Sequence, residues 1–368
     1  MKFEINLKEF KKIINLISRI ASSKTSLPIL ANLLIKADQN TIIISATDLE
    51  LGLEVKINTA VTNPSSIIVP ARILNDLVTN LPDDDDIKIE VKNNKLFIHT
   101  KNNETYINCS QSNDFPDLPT IEGAKQIKLN AIELKDALTK TSFVASRDET
   151  RPVLNGCLLK FNQDKLFIVA TDGYRLAEKT ISLESGINED LIVPTNTIQE
   201  LIKIITNYDD IEKLQVCFDD TSIKFNIGSI ELTSRIIDGK YPDYKQIIPS
   251  DFTVKTKLKK SEFSGSIKLA SLFAKESAGS ITISFDSSDQ FISIKSDSSQ
   301  VGENNSQVKV DEAIGEGKTT INARYIGDAL NVIDTSAVEF NYSEGVMPCL
   351  IKPVGDDSYV HIIMPLKS

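Results

Sequence analysis

The stretch ATDGYRLA at 170–177 holds a carboxylate, a hydroxyl, a glycine turn and an arginine within six residues. That composition suits a catalytic loop, and it suits equally a surface that another molecule grips. The chain reads ATDLELGL at 46–53, 124 positions earlier. Either a site has been duplicated or a whole domain has.

The same shift recurs in three further places. Leu30 in LPILANLLI falls on Leu154 in RPVLNGCLL, Pro70 in IIVPARILNDL falls on Pro194 in LIVPTNTIQEL, and Phe10 falls on Leu134. Four matches in one order at one shift mean a duplicated domain. A weaker third copy opens with KKSEFSGSIKL at 259–269 and continues in INARYIGDALNVI at 321–333. In it the ATD motif has decayed to KSDSSQVGE at 295–303. FPDLPTIEGAK (115–125) and YPDYKQIIPSDF (241–252) have the proline content of linkers, so the expected domains are 1–122, 123–250 and 251–368.

Each copy has one internal order: an amphipathic helix, alternating strands, a turn, a second helix and more strands. Phe10, Ile13, Ile14, Ile17 and Ile20 share one helical face, opposite Lys8, Lys12, Asn15 and Arg19. The second helix follows Pro70 or Pro194, where a missing N–H is harmless. It is expected to bury Ile73, Leu74, Leu77 and Val78 in copy one, and Ile198, Leu201, Ile202 and Ile205 in copy two. Segments such as TIIISATD, KLFIVATD and DIKIEVK are strand-like. The class is α+β, two helices on antiparallel sheets in each copy.

Composition sets outer limits. The 368 residues allow two or three domains at roughly 150 residues each. No apolar run is long enough to span a bilayer and no signal segment opens the chain, so the cytoplasm is expected. Cys109, Cys157, Cys217 and Cys349 are scattered and read as isolated thiols. His99 and His361 sit in strand-like runs without cysteine partners, so neither a metal nor a cofactor is expected. GEGKTT at 315–320 has Glu312 where a phosphate loop needs glycine. No nucleophile elbow and no poised carboxylate pair appears.

The net charge of −10 counts against nucleic acid only if the cations are evenly spread. They are not. Residues 8–20 carry a net +3 and residues 259–271 a net +2. The six inferred helices together carry +4, which leaves −14 for the remainder. Such helices suit phosphate contact without base readout. On residues alone, a hydrolase using the TD loops and a monomeric peptide-binding scaffold also stay open.

Over its whole length the sequence resembles the bacterial DNA polymerase III β subunit family, the replicative sliding clamps. The resemblance rests on MKFEI, LPILANLL, ATDLELGL, IIVPAR at 67–72, DFPDLP at 114–119, RPVLNG at 151–156, ATDGYRLA, DGKYPDYKQIIP at 238–249 and IIMPLKS at 362–368. It implies three repeated clamp domains per chain and a head-to-tail dimeric ring, a homodimer whose twelve helices line a hole for duplex DNA. It implies a processivity factor, not an enzyme, with no cofactor. Partners would be the encircled DNA and the peptide tails of the replicative polymerase, clamp loader and repair polymerases.

The family's peptide cleft, carried over by motif, falls on Leu154, Thr171, Gly173, Tyr174, Arg175, Leu176, Pro242 and Ile247, with Val346, Pro348, Ile362, Ile363, Met364, Pro365 and Leu366 from the third domain. In this assignment Asp172 shapes the turn and Arg175 supports or flanks the cleft. DNA-facing candidates are Lys12, Arg19, Lys24, Arg72, Arg147, Arg151, Lys203, Lys260 and Lys268. The ring interface is expected at Tyr106 against Leu272 and Phe273. Three features depart from the family pattern: Gln246 at an arginine position, the polar end PLKS, and Pro152 and Val153 where some relatives have paired tyrosines.

Overall fold

The computed structural model describes residues 1–21, 27–82, 86–121, 125–208, 211–298 and 302–366. Six α-helices lie among them: α1 (Leu7–Ile17), α2 (Ala71–Asn80), α3 (Ala131–Ser142), α4 (Thr195–Asn207), α5 (Lys260–Phe273) and α6 (Ala323–Val332). Their starts follow from local chemistry. The Asn6 side chain accepts from the amides of Lys8 and Glu9 at the head of α1, and Asn130 accepts from Ile132 at the head of α3. These two caps are again 124 positions apart, so the repeat preserves helix initiation along with the core. Asn322 caps α6 in the same manner.

On α1 the apolar face is buried as its spacing predicts, and Leu16 joins it. Ile20 is buried too, although the helix ends at Ile17 and the turn beyond it carries Ile20 inward. The second helices need correction. In α2 the buried stripe is Ala71, Leu74 and Val78, while Leu77 is half-buried and Ile73 is 55% exposed. Ala71 takes the core-facing position one turn before Leu74, which turns Ile73 outward. In α4 Ile204 is fully buried where Ile202 was expected, and Ile202 is half-buried.

The strands form three antiparallel sheets. One has four strands, ordered Lys2–Asn6, Asp86–Lys92, Lys95–His99, Glu104–Asn108. The second has eight, four from each of the first two copies, joined where Leu51–Asn58 pairs with Ile230–Arg235. The third has ten. It begins with the long hairpin Gly156–Thr171 and Arg175–Pro194, then passes into the third copy through the pairing of Arg175–Pro194 with Tyr359–Ile363. GEGKTT forms no phosphate loop, because Gly317–Asn322 is a strand of this sheet paired with Ser280–Phe285.

Because the middle copy shares a sheet with each neighbour, the compact units do not follow the three repeats. One unit is Met1–Ile132 with Gln199–Ile236 and contains the four- and eight-stranded sheets. The other is Glu133–Ile198 with Ile237–Ser368 and contains the ten-stranded sheet.

Candidate functional site

The TD motifs build the same turn twice. In the second copy Thr171 Oγ1 donates to the Arg175 carbonyl (2.7 Å) and accepts from the Gly173 amide (3.1 Å). Asp172 Oδ1 accepts from the amides of Tyr174 and Arg175. In the first copy Thr47 donates to the Leu51 carbonyl and accepts from Leu49, while Asp48 Oδ1 accepts from Glu50 and Leu51. Oδ1 of Asp172 is therefore committed to the backbone of its own turn, which is turn-making chemistry. The left-handed position is Gly173 (φ 88°) in one copy and Leu49 (φ 79°) in the other.

Arg175 is the particular feature of the second turn. Its side chain is only 7% exposed. Nε donates to Asp172 Oδ2 (3.1 Å) and Nη1 to Asp328 Oδ2 on α6 (2.6 Å). The guanidinium lies over the Tyr325 ring (4.6 Å) and near that of Phe143 (5.6 Å). Phe143 in turn stacks on His361. Burial, with Arg175 adding, lowers the His361 pKa to about 3, so the imidazole is neutral. Burial and then Asp172 raise the pKa of Tyr325. Arg175 is thus a support bound into its own protein and offers little to an outside ligand.

The other candidates sort by burial. Leu176, Ile362 and Ile363 are wholly buried, and Leu154 and Thr171 nearly so. Leu176 and Ile362 belong to one cluster with Leu158, Val169, Tyr241, Tyr244 and Leu350. The accessible apolar groups are Tyr174 (63% exposed), Val346 (72%) and, less so, Ile247. Pro242 and Gly173 are exposed, and Pro348, Met364, Pro365 and Leu366 are half-buried. Backbone geometry brings these segments together: Arg175 is opposite Ile363 in register, Cys349 is opposite Ile363 on its other side, and the Met364 amide donates to the Tyr174 carbonyl (2.8 Å). A floor of packed Leu, Ile and Tyr with exposed apolar groups above it can take an apolar anchor.

The flanking charges are neutralised. Lys245 is held by Glu178 (2.7 Å), and Gln246 donates to Asp243 (2.7 Å). Lys179 pairs with Asp356, which burial resists charging but which the Ser358 hydrogen bonds and Lys179 hold at about 2. Lys140 on α3 bridges Asp136 and Asp334; burial opposes its charge, and the two carboxylates outweigh burial and raise its pKa.

The cations expected to face DNA are less uniform. Arg147, Arg151 and Lys268 are exposed, and Arg72 is exposed beside Asp76. Arg151 stands against the TD turn, its Nη1 3.6 Å from where a Cβ on Gly173 would lie. Lys12 lies over the Tyr208 ring, Arg19 and Lys203 both bind Glu200, and Lys260 donates to the Ile333 carbonyl. Lys24 falls outside the described residues. Tyr106 is exposed on the edge strand Glu104–Asn108, and Leu272 is exposed at the end of α5 with Phe273 half-buried beside it. Sequence reasoning missed Phe143, Tyr325, Asp328 and the Tyr241/Tyr244 pair. Tyr325 and Asp328 are three apart on α6, a spacing that marks them as sharing a face.

Three family models match consecutive stretches of the chain: the N-terminal domain of the DNA polymerase III beta subunit over residues 1–119, its central domain over 128–243 and its C-terminal domain over 245–367. The chain belongs to the DNA polymerase III beta subunit family. A curated relative, the beta sliding clamp of Staphylococcus aureus, is 29% identical over 381 residues and covers 100% of both chains. Among solved structures, the DNA polymerase sliding clamp of Bacillus subtilis is 28% identical with a TM-score of 0.94, covering 100% of this chain and 99% of that one. The Pseudomonas aeruginosa sliding clamp, crystallised with a ligand, is 26% identical with a TM-score of 0.94 and full coverage of both chains. The chain is a processivity factor of replication and not an enzyme.

Proposed function

We propose that two copies of the chain close head to tail into a ring around duplex DNA, slide without reading sequence, and hold replication proteins by short peptides. The observation that carries this reading is the full-length succession of three clamp-family domains on a backbone matching solved clamps at a TM-score of 0.94. The domains run 1–122, 123–250 and 251–368, a division supported by the ranges of the family matches. Among the described residues no helix is long and apolar enough to cross a membrane; the reading puts the protein in the cytoplasm, with the replication fork.

In this reading the exposed edge strand bearing Tyr106 meets the α5 end bearing Leu272 and Phe273 of a second copy. An unpaired edge beside exposed apolar side chains supports that assignment. The partner peptide lays an apolar anchor against Tyr174, Ile247, Val346, Pro348 and the Met364–Leu366 tail, over the floor of Leu154, Thr171, Leu176, Ile362 and Ile363, with Gly173 and Pro242 at its margin. Arg175 supports that floor. The ring holds DNA topologically, so the helix cations need only weak, mobile phosphate contacts.

The test is topological. The protein is loaded with its clamp loader and ATP onto nicked circular DNA, isolated by gel filtration in moderately high salt, and the circle is then cut once. Retention on the circle and loss from the cut DNA supports the ring. Equal retention on both forms overturns it in favour of a direct surface binder.

A further inference from the structure

The Thr47–Leu51 turn stands where the sheet of the first copy joins the second. Leu51 is opposite Ser234 in register, and the Arg235 amide donates to the Glu50 carbonyl (2.9 Å). Next to it the Ile236 amide donates to the Thr221 carbonyl (3.0 Å), which brings the Asp219–Ser222 turn alongside. Leu118 packs on Gly52, where any Cβ would overlap its side chain. All of these residues belong to one compact unit.

The 124-residue shift sets this turn against its twin in the second copy. Leu30 and Thr47 are buried, as Leu154 and Thr171 are. Gly52 holds the position of Leu176, and Leu118 supplies the missing apolar bulk. At the rim the chemistry changes. Arg151, which stands beside Gly173, has Leu27 as its counterpart, and Gly173 has Leu49. The two leucines are 46% and 40% exposed. Leu49 also holds φ 79°, a conformation that strains any side chain. Its exposure returns little burial for that strain, so folding alone does not account for a leucine there.

The charge changes too. In the second copy Arg175 takes Oδ2 of Asp172; its counterpart here is Leu51, which is buried. Oδ1 of Asp48 is held by the turn, and Oδ2 has no hydrogen-bond partner among the described residues. Glu50, Asp117 and Asp220 are exposed, and none makes an ion pair among the described residues. With Asp48 and Asp219 they make five carboxylates against the single cation Arg235, a net −4 over residues 47–52, 117–118, 219–222 and 235.

We propose that the first-copy turn is a second docking surface, for a peptide segment of a partner protein that carries arginine or lysine beside leucine. The apolar side chain rests on Leu27, Leu49 and Leu118, and the cation takes the acceptor left open on Asp48, flanked by Glu50 and Asp117. Exposed apolar groups ringed by unpaired carboxylates select a basic amphipathic segment and repel nucleic acid. The surface lies within one compact unit, so it stands whether or not two chains close into a ring.

The experiment is fluorescence anisotropy of a labelled synthetic peptide bearing the run Arg-Leu-Arg-Leu, titrated with the full-length protein in moderate salt. Binding should saturate at one peptide per chain and weaken roughly tenfold in Leu49→Gly and in Glu50→Lys. Leu49→Gly relieves strain, so misfolding does not explain its loss. Asp289→Lys, the same charge change at an exposed site of the third copy, should keep the wild-type affinity. An excess of unlabelled Leu-Phe anchor peptide should not displace the probe. Wild-type affinity in Leu49→Gly overturns the surface. Equal weakening in Asp289→Lys overturns it in favour of general attraction to an acidic protein, and displacement by the Leu-Phe peptide assigns the binding to the other cleft. A lower mass of Leu49→Gly in sedimentation gives the leucines to a second copy and overturns it as well. Retention on the nicked circle is independent of all four outcomes, so failure here leaves the ring reading in place.

Discussion

Arg175 of the second copy and Asp328 of the third are joined by a 2.6 Å charge-assisted hydrogen bond, 153 positions apart in the chain. The bond sits beside the strand pairing of Arg175–Pro194 with Tyr359–Ile363, so one strand joins the two copies through its backbone and through a buried side chain. Removing the guanidinium would take the buried cation from Asp172 and leave Asp328 only the exposed Arg324, at 3.8 Å. Arg175→Ala should therefore destabilise the protein by about 3 kcal/mol or more, the range for breaking a buried pair. Asp328→Asn, which keeps an acceptor, should lose less. Urea unfolding of both variants checks the order; equal losses would mean that the charge of Asp328 matters less than its shape.

The twin turns make a conformational prediction. Gly173 and Leu49 occupy the same left-handed position, which favours glycine. Gly173→Ala should be destabilising by about 1 kcal/mol, and Leu49→Gly should be neutral or stabilising by a similar amount despite the lost side chain. Thermal melts of the two single variants should show a loss for Gly173→Ala and no loss for Leu49→Gly.

His361 makes stability depend on pH. Its folded pKa, about 3, lies below the ordinary histidine value of 6.5, so the unfolded chain binds the proton first as pH falls. The stabilisation is complete above pH 6.5 and is lost on acidification from there toward the folded value, at about 1.4 kcal/mol per pH unit. Asp356 adds a loss in the same direction, but only below its ordinary value of 3.8. Between those two pH values the slope belongs mainly to His361. In His361→Phe it should flatten there, as followed by denaturant midpoints across that window.

Peptide affinity should part from stability at the exposed rim. Tyr174 and Val346 are well exposed, so Tyr174→Ala and Val346→Ala should leave the melting temperature unchanged. Each should weaken a synthetic peptide with a Leu-Phe anchor by roughly tenfold, the scale of one interface anchor. Leu176→Ala should lower affinity and stability together, because Leu176 is part of the packed floor. Titration calorimetry with parallel melts distinguishes the two behaviours. Undiminished affinity in Tyr174→Ala and Val346→Ala would remove the cleft assignment.

Much of the architecture was legible because it is local and repeated. The 124-residue shift relates the Asn6 and Asn130 caps, the Thr47 and Thr171 hydroxyls and the Pro70 and Pro194 helix starts, all of which act within a few residues of themselves. The face of α1 follows from 3.6-residue periodicity alone. Ile73 escaped that logic, since α2 offers two apolar stripes and only packing chooses the one led by Ala71.

Of the candidate site, the turn was readable and the role of Arg175 only half so. A guanidinium beside a tyrosine and a leucine has the same sequence whether it faces solvent or Asp328. The sequence by itself determined three α+β repeats, their caps, their turns and an excess of positive charge on helices, because each depends on neighbours a few residues away. The tertiary structure alone decided that Arg175 is buried against Asp328, and that the repeats share sheets. Those outcomes depend on which carboxylate, strand edge or helix face arrives from more than a hundred residues away, and a buried ion pair forms only where the fold brings both charges out of water together.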